Sequence, residues 1–283
     1  MRLFSRFRRP RATVLVYHRV ARVADPRDDP YGQAVRPETF ARHLEALSRE
    51  HPVVPLSDLV EALPRRRFED RTVAVTFDDG YEDNLSQALP IAGKVPLTLF
   101  VTVEPVLDGG RFWWDEIAGV EPGLRTKLHT RLKGLPSRER KGRLASMVST
   151  WQAGYGRPMT VDELRDLASR PSVGIGAHTL SHPSLALLPA VEQERELSEA
   201  RTRLEELLGR PVTLLAYPFG KPGDVSDDTL DLARRAGYRA AFTTVPGRLV
   251  PSSPAFALPR LTVHEWPAEH LMRRIRECLG EAA

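Results

Sequence analysis

The segment TVAVTFDDGY, Thr72–Tyr81, joins a short strand-forming run to two adjacent carboxylates. Apolar and β-branched residues without polar alternation are typical of a parallel strand that is buried on both faces. Asp78 and Asp79 would then lie at the carboxyl end of that strand, where functional side chains collect in α/β barrels. Because Asp-Gly is also a common turn pair, this motif alone leaves a solvated turn as the alternative.

Similar runs recur along the chain and alternate with amphipathic helical segments. The predicted strands are Thr13–Tyr17, Thr72–Phe77, Leu97–Val101, Val173–Ala177, Leu214–Tyr217, Ala240–Thr243 and Leu261–Val263. The predicted helices include Pro37–Ser48, Val191–Leu208 and Asp227–Ala236. This alternation predicts a single α/β domain over residues 12–283, with a parallel sheet or an α/β barrel. The stretch from about Trp113 to Arg170 lacks a clear strand and predicts a helical insertion over one face.

The positive charge is concentrated at the amino terminus. The 283 residues include 41 Lys+Arg and 37 Asp+Glu, a formal charge of +4. Five of the arginines lie in residues 1–11, namely Arg2, Arg6, Arg8, Arg9 and Arg11. The rest of the chain, outside this basic arm, has 36 basic and 37 acidic residues, so its net charge is close to zero. We therefore expect no nucleic-acid partner. The arm itself could contact an anionic membrane surface weakly, with a solvated tail as the alternative.

Cysteine content and hydropathy indicate the compartment. The single cysteine, Cys278, excludes an intrachain disulfide and a cysteine-based zinc site. The first apolar run, Ala12–Tyr17, is shorter than the apolar core of a signal peptide, which needs about 7–15 residues. We therefore expect a cytoplasmic protein that is at most peripheral at the inner membrane face. The sequence does not indicate an oligomeric state.

Two further motifs follow predicted strands. His178 and His182, in the segment GAHTLSHP, are four residues apart and follow the strand Val173–Ala177. Two imidazoles at this spacing, combined with a carboxylate of the Asp pair, can hold a divalent metal and leave coordination positions open. The third motif, Tyr217–Gly220, reads YPFG and predicts a pocket wall whose backbone N–H groups face a ligand. Its alternative is an ordinary Pro-Gly loop.

Taken in order, TFDDGY, HTLSH and YPFG resemble the polysaccharide deacetylase family with the NodB-homology domain, a carbohydrate esterase family 4-like group. The resemblance extends from about His18 to Val263, and Tyr17-His18 resembles the exopolysaccharide-associated branch. It implies a distorted (β/α) barrel, a divalent metal that is usually zinc, and hydrolysis of the N-acetyl group of an N-acetylhexosamine in a glycan or glycan precursor. It assigns Asp79, His178 and His182 as metal ligands and Asp78 as the general base.

The chain departs from the family pattern at two positions. Many members carry an arginine where this chain has Ala216, and Arg260, before a late strand, is our candidate replacement, unless it is an ordinary surface residue. The family's late Leu-x-His pattern supplies a general acid, but here His264 comes one residue too late. His18, at the end of the first strand, therefore competes with His264 for the role of acid.

The motifs and the two adjacent tryptophans supply candidate substrate contacts. The predicted substrate-binding residues are Tyr81, Tyr217, Pro218, Phe219, Gly220, Trp113 and Trp114. By resemblance the Phe219 N–H would hold the oxyanion, whereas the tryptophans could stack on a sugar or simply pack the core. Two other functions stay open at this point: a non-catalytic carbohydrate-binding relative, and a non-haem iron enzyme with the same two histidines and one carboxylate.

Overall fold

Parallel strands form the centre of the protein in the computed structural model, which describes residues 10–23, 29–147 and 156–281. The strands are β1 (Ala12–Tyr17), β2 (Arg19–Val20), β3 (Ala34–Val35), β4 (Thr72–Phe77), β5 (Leu97–Val101), β6 (Val173–Ala177), β7 (Leu214–Ala216), β8 (Ala240–Phe242) and β9 (Leu261–Thr262). Seven of them form one sheet in the order β8-β7-β6-β5-β4-β1-β9, with every neighbouring pair parallel. The short β2 and β3 pair separately.

Helices connect the strands. The α-helices are α1 (Pro37–Glu50), α2 (Leu56–Ala62), α3 (Leu89–Ala92), α4 (Val103–Leu107), α5 (Trp113–Glu116), α6 (Pro122–Leu132), α7 (Ser137–Ala145), α8 (Val161–Ala168), α9 (Ala190–Leu208), α10 (Asp227–Arg235) and α11 (Ala268–Leu279). A π-helical turn spans Asn84–Ala88 and a 3-10 turn spans Leu185–Leu187. All seven strands predicted for the main sheet are present, some of them a residue shorter or longer than predicted.

The segment from Leu258 to β9 joins the two edges of the sheet. Leu258 donates a backbone hydrogen bond to Ala241 of β8 at 3.0 Å and accepts one at 2.8 Å from Thr243, the residue that follows β8. Three residues later Leu261 pairs with Leu15 of β1. The segment between β8 and β9 therefore contacts both edges of the curved sheet. The predicted distorted (β/α) barrel is confirmed.

Burial on both faces explains the strand composition. All six residues of β1 and all six of β4 are buried, as the absence of polar alternation predicts. The register pairs Tyr17 with Phe77, and their rings stack at 5.4 Å. The carboxyl ends of neighbouring strands therefore lie side by side at one edge of the sheet.

The region between β5 and β6 is helical in its described part, as predicted. Its last helix, α8, has a complete capping box between Thr160 and Glu163 and packs on β6, so it is a regular crossover helix. The three preceding helices, α5, α6 and α7, form what we call the helical insertion. Their shared apolar cluster consists of Tyr81, Phe112, Trp113, Trp114, Ile117, Leu132 and Leu144.

The basic arm lies outside the described residues except for Pro10 and Arg11. Arg11 belongs to the folded body rather than to the arm, because its guanidinium donates to Asp70 at 2.7 Å and to the carbonyl of Leu279 at 2.9 Å. In the part of the chain that the structure describes, no helix is long and apolar enough to cross a membrane.

Candidate active site

The carboxyl ends of the strands surround a cavity of about 230 Å³. His18 follows β1, Asp78 follows β4, His178 follows β6 and Phe219 lies just beyond β7. The other lining residues are Tyr31, Gln33, Trp114, His129, His182, Lys221, Thr244, Thr262 and His264. The three sequence motifs therefore meet at one cavity, because parallel neighbouring strands end at the same edge.

A buried ion pair forms part of the floor of the site. The Arg260 guanidinium donates to both carboxylate oxygens of Asp78, at 2.7 Å each. Arg260 is 0% exposed and Asp78 is 2% exposed. Burial by itself would raise the pKa of Asp78, but the Arg260 charge and hydrogen bonds outweigh it and lower the pKa to about 2. Asp78 is therefore an oriented, ionised carboxylate at neutral pH.

The segment that joins β8 to β9 places Arg260. Its Nε donates to the carbonyl of Thr243 at 3.0 Å, and the guanidinium lies 5.3 Å from the centre of the Phe100 ring. Ala216, where many family members would have arginine, is fully buried. The arginine that contacts Asp78 thus comes from the segment before β9, at the opposite edge of the sheet from β8 and β7.

Asp79, His178 and His182 present one ligand atom each within 4.8 Å of one another. Oδ1 of Asp79 lies 3.6 Å from Nε2 of His178 and 3.4 Å from Nε2 of His182. This oxygen is buried and has no hydrogen-bond partner among the described residues. An unpartnered buried carboxylate oxygen facing two imidazole nitrogens fits a divalent cation.

The histidines are in the protonation state that a metal requires. Nδ1 of His178 donates to the carbonyl of Ala216 at 2.8 Å, so its Nε2 lone pair faces Asp79. Burial lowers the pKa of His178 to about 4 and lowers the pKa of His182 well below its usual value. Both rings are therefore neutral near pH 7. Two neutral imidazole nitrogens and a carboxylate oxygen form a donor set that fits a divalent metal.

Both candidate acids reach the cavity. His18 is half-buried, and burial lowers its pKa while the charges of Asp79 and Asp78 oppose that shift. His264 is exposed at the rim, where its Nδ1 donates to the carbonyl of Gly32 at 3.1 Å. The extra residue before His264 therefore does not move it away from the site.

The YPFG motif contributes one side chain to the cavity. The Phe219 ring lies 4.9 Å from the ring of His182, and its backbone φ is 60°. Gly220 has a φ of 62°, and a Cβ there would lie 2.7 Å from the Thr244 nitrogen, so only glycine fits. Tyr217 is buried and donates to the carbonyl of Phe256 at 3.1 Å. Pro218 is buried beside it and does not line the cavity.

Besides Pro218, four residues predicted to bind substrate do not line the cavity: Tyr81, Trp113, Tyr217 and Gly220. The Tyr81 hydroxyl donates to Asp115 at 3.0 Å and accepts from Trp114 Nε1 at 2.8 Å. Trp113 Nε1 donates to the carbonyl of His182 at 3.2 Å. Of the two tryptophans, Trp114 is the one that lines the cavity, with its ring 4.2 Å from that of His182.

Sequence reasoning missed several lining residues, above all His129 of α6. Its ring lies between those of Trp113 and Phe219, at 5.1 and 5.5 Å. Burial and the Lys133 charge lower its pKa to about 4. No motif surrounds His129, and nothing in the sequence distinguishes it from other insertion residues. Lys221 could have been found, since it directly follows Gly220.

A larger cavity of about 880 Å³ lies elsewhere, near the starts of β5 and β6. Its lining is mostly apolar, with Lys94 and Arg170 as the charged members. It contains none of the motif residues, so its size does not make it the active site.

A parallel barrel with an Asp-His-His cluster and a second, ionised aspartate at its strand ends has the arrangement expected of a metallohydrolase. Residues 65–241 match the family model described as polysaccharide deacetylase, and the chain belongs to that family. Members of this family are hydrolases that act on N-acetyl amide bonds.

One relative by sequence and two solved structures are similar to this chain. YxkH of Bacillus subtilis (strain 168), whose name assigns it to the polysaccharide deacetylases, is 22% identical over 198 residues. That match covers 70% of this chain and 53% of YxkH, so the chain spans about half the length of this relative. The Streptococcus pyogenes deacetylase PplD has a TM-score of 0.71 at 18% identity, covering 95% of this chain and 99% of PplD. IcaB from Ammonifex degensii has a TM-score of 0.69 at 18% identity, covering 94% and 97%. Both likenesses establish the fold.

Proposed function

We propose that this protein uses a divalent metal, zinc in the first instance, to hydrolyse the N-acetyl group of an N-acetylhexosamine in a glycan, oligosaccharide or glycan precursor. The observation that carries the proposal is the two-point contact of Arg260 with Asp78 beside the Asp79–His178–His182 cluster. A structural ion pair would not require an adjacent, unpartnered carboxylate oxygen that faces two neutral histidines.

Asp79, His178 and His182 would hold the metal. When bound there, a divalent cation supplies Lewis acidity to the amide carbonyl and lowers the pKa of water. Asp78 would take the proton of the attacking water, and Arg260 would keep that carboxylate ionised and oriented. Each oxygen of Asp78 has two acceptor positions, so the contact with Arg260 leaves one free on each oxygen, and Asp78 lines the cavity.

Backbone and ring groups would complete the reaction site. The left-handed conformation of Phe219, followed by Gly220, supports presentation of its N–H to the developing oxyanion. His18 and His264 both line the cavity and can each carry a proton to the leaving amine. The rings of Trp114, Phe219 and His129 would form an apolar wall for the sugar.

An acetate-release assay tests the proposal. The zinc-loaded protein is offered N-acetylated polymer, oligosaccharide, lipid-linked sugar and free monosaccharide, each with and without a chelator. We expect release from at least one form, loss of release with the chelator and recovery with added zinc. Sugar binding without release from any form would favour the non-catalytic alternative. His18→Gln and His264→Gln, assayed on the best substrate, identify the acid as the variant with the larger fall in kcat.

We also propose that the basic arm brings a cytoplasmic enzyme to an anionic membrane surface, where glycan precursors could be its substrates. Because Arg11 is tied into the fold, the matched truncation starts at Pro10. Co-sedimentation with anionic vesicles should be lost in that truncation. Equal partitioning of the truncated and full-length chains would remove this proposal.

A further inference from the structure

The two histidines of the cluster are held in different ways. His178 is fixed directly, since its Nδ1 donates to the carbonyl of Ala216 at the end of β7. Nδ1 of His182 is buried and has no hydrogen-bond partner in the described ranges. Thr179 and His182 both have a φ of 62°, a left-handed conformation that non-glycine residues adopt only when their surroundings impose it. The position of His182 must therefore be set by contacts other than a hydrogen bond to Nδ1 of its ring.

Ser181, the preceding residue, is held between two buried charges from different helices. Glu196 of α9 accepts from the Ser181 N–H at 2.8 Å and from its hydroxyl at 2.5 Å. Arg140 of α7 donates to the Ser181 carbonyl at 2.5 Å and to its hydroxyl at 2.8 Å. Arg140 is 2% exposed and Glu196 is 3% exposed. Every polar atom of Ser181 is thus engaged by this pair.

The next carbonyl along the chain is also held by the insertion. Trp113 Nε1 of α5 donates to the carbonyl of His182 at 3.2 Å. The Arg140 guanidinium lies 5.1 Å from the centre of the Trp113 ring, so the two contacts support each other. Side chains of α5 and α7 therefore hold the carbonyl of His182 and that of Ser181, the residue before it.

We infer that the helical insertion is part of the metal site, with Arg140 as a positioning residue that sets His182 through Ser181. The inference rests on the proposed metal site but concerns a residue that touches neither metal nor substrate. Burying the charges of Arg140 and Glu196 costs free energy, because both side chains lose their hydration. Their hydrogen bonds fix the position of Ser181. Partners that orient a metal ligand from outside the coordination shell typically change metal affinity by about 10–100-fold when removed.

The test measures zinc affinity of the metal-free full chain by competition with a chromophoric chelator. The variants are Arg140→Met and the double variant Arg140→Met/Glu196→Met. The double variant removes both charges of the pair, so neither is left buried without the other. The matched control is Arg143→Met on the same helix, whose side chain is 36% exposed and pairs with Glu139 on the surface. Zinc is the only probe, and thermal unfolding of each metal-free variant is recorded in parallel.

We expect Arg140→Met and the double variant to weaken zinc binding by about 10–100-fold, and Arg143→Met to leave it unchanged. At saturating zinc, acetate release by the double variant should return toward wild type, because the defect lies in metal affinity. Wild-type zinc affinity in the folded double variant would overturn the inference. If the wild-type protein itself binds no zinc, the proposed function fails instead, so the two failures are distinguishable.

Discussion

His178 and His182 lie four residues apart in one loop, yet different parts of the molecule hold them. On the barrel side, His178 bonds to the end of β7 and Asp78 bonds to Arg260 from the segment before β9. On the insertion side, His182 depends on Ser181, Trp113 and two buried charges from separate helices. On the barrel side the partners come from a strand end and from the segment before β9, whereas on the insertion side helix side chains hold the backbone of Ser181 and His182. The insertion can therefore change the site without any change in the barrel.

The largest expected effect comes from removing a ligand on either side. His178→Ala and His182→Ala should each weaken zinc binding by more than the roughly 10–100-fold typical of an outer partner and reduce acetate release to background. Equilibrium zinc titration and acetate release check both variants. If His182→Ala retained zinc affinity within tenfold of wild type while His178→Ala did not, the insertion side would not belong to the metal site.

Next in size is the buried ion pair on the barrel side. Arg260→Met leaves the Asp78 charge buried without its partner and should lower the free energy of unfolding by about 3–5 kcal/mol. Urea unfolding measures the loss, with the exposed Arg165→Met as the control, expected within about 0.5 kcal/mol of wild type. The double variant Arg260→Met/Asp78→Leu should recover most of the loss. An Arg260→Met protein as stable as the control would contradict the barrel-side account.

A smaller effect, on the pH dependence of the free energy of unfolding, is expected from Asp115 of α5 in the helical insertion. Burial raises its pKa to about 8, against the hydrogen bond from Tyr81. Between its ordinary value of 3.8 and about 8, the unfolded chain has lost a proton that the folded chain retains. The free energy of unfolding of the wild type should therefore fall as pH rises through this window. The stability of Asp115→Asn relative to wild type should rise with pH over the same window.

We expect that relative gain to be on the order of 1 kcal/mol between pH 6 and pH 7. Urea midpoints at several pH values measure it, with Asp162→Asn, whose side chain is 92% exposed, as the control. Parallel stability profiles for wild type and Asp115→Asn would show that Asp115 ionises normally.

The barrel side could be predicted from the sequence to a large extent. Apolar runs located the strands, and polar residues directly after them located Asp78, Asp79 and His178. Arg260 could be proposed because it precedes a late strand, although its hydrogen bond to Asp78 joins residues 182 positions apart. Where a side chain follows a buried strand, chain position and spatial position are closely linked.

The insertion side could not be predicted in this way. Helix patterns indicate that residues 113–170 are helical but not which helix faces place Arg140 or His129 beside the barrel. The contact from Arg140 to Ser181 spans 41 positions and depends on how three short helices pack. The prediction for the aromatic residues was wrong for the same reason. Tyr81, Tyr217 and Trp113 were expected to line the cavity, but they are buried and their polar atoms bond to other protein groups.

The most direct test of the central claim compares wild type with Asp78→Asn in one assay of bound zinc and released acetate. The asparagine side chain keeps the size of Asp78 but cannot take a proton from water. We predict equal zinc binding and a fall in acetate release of about 10²–10⁴-fold, the usual contribution of a general base. Acetate release by zinc-loaded Asp78→Asn at the wild-type rate would contradict the account.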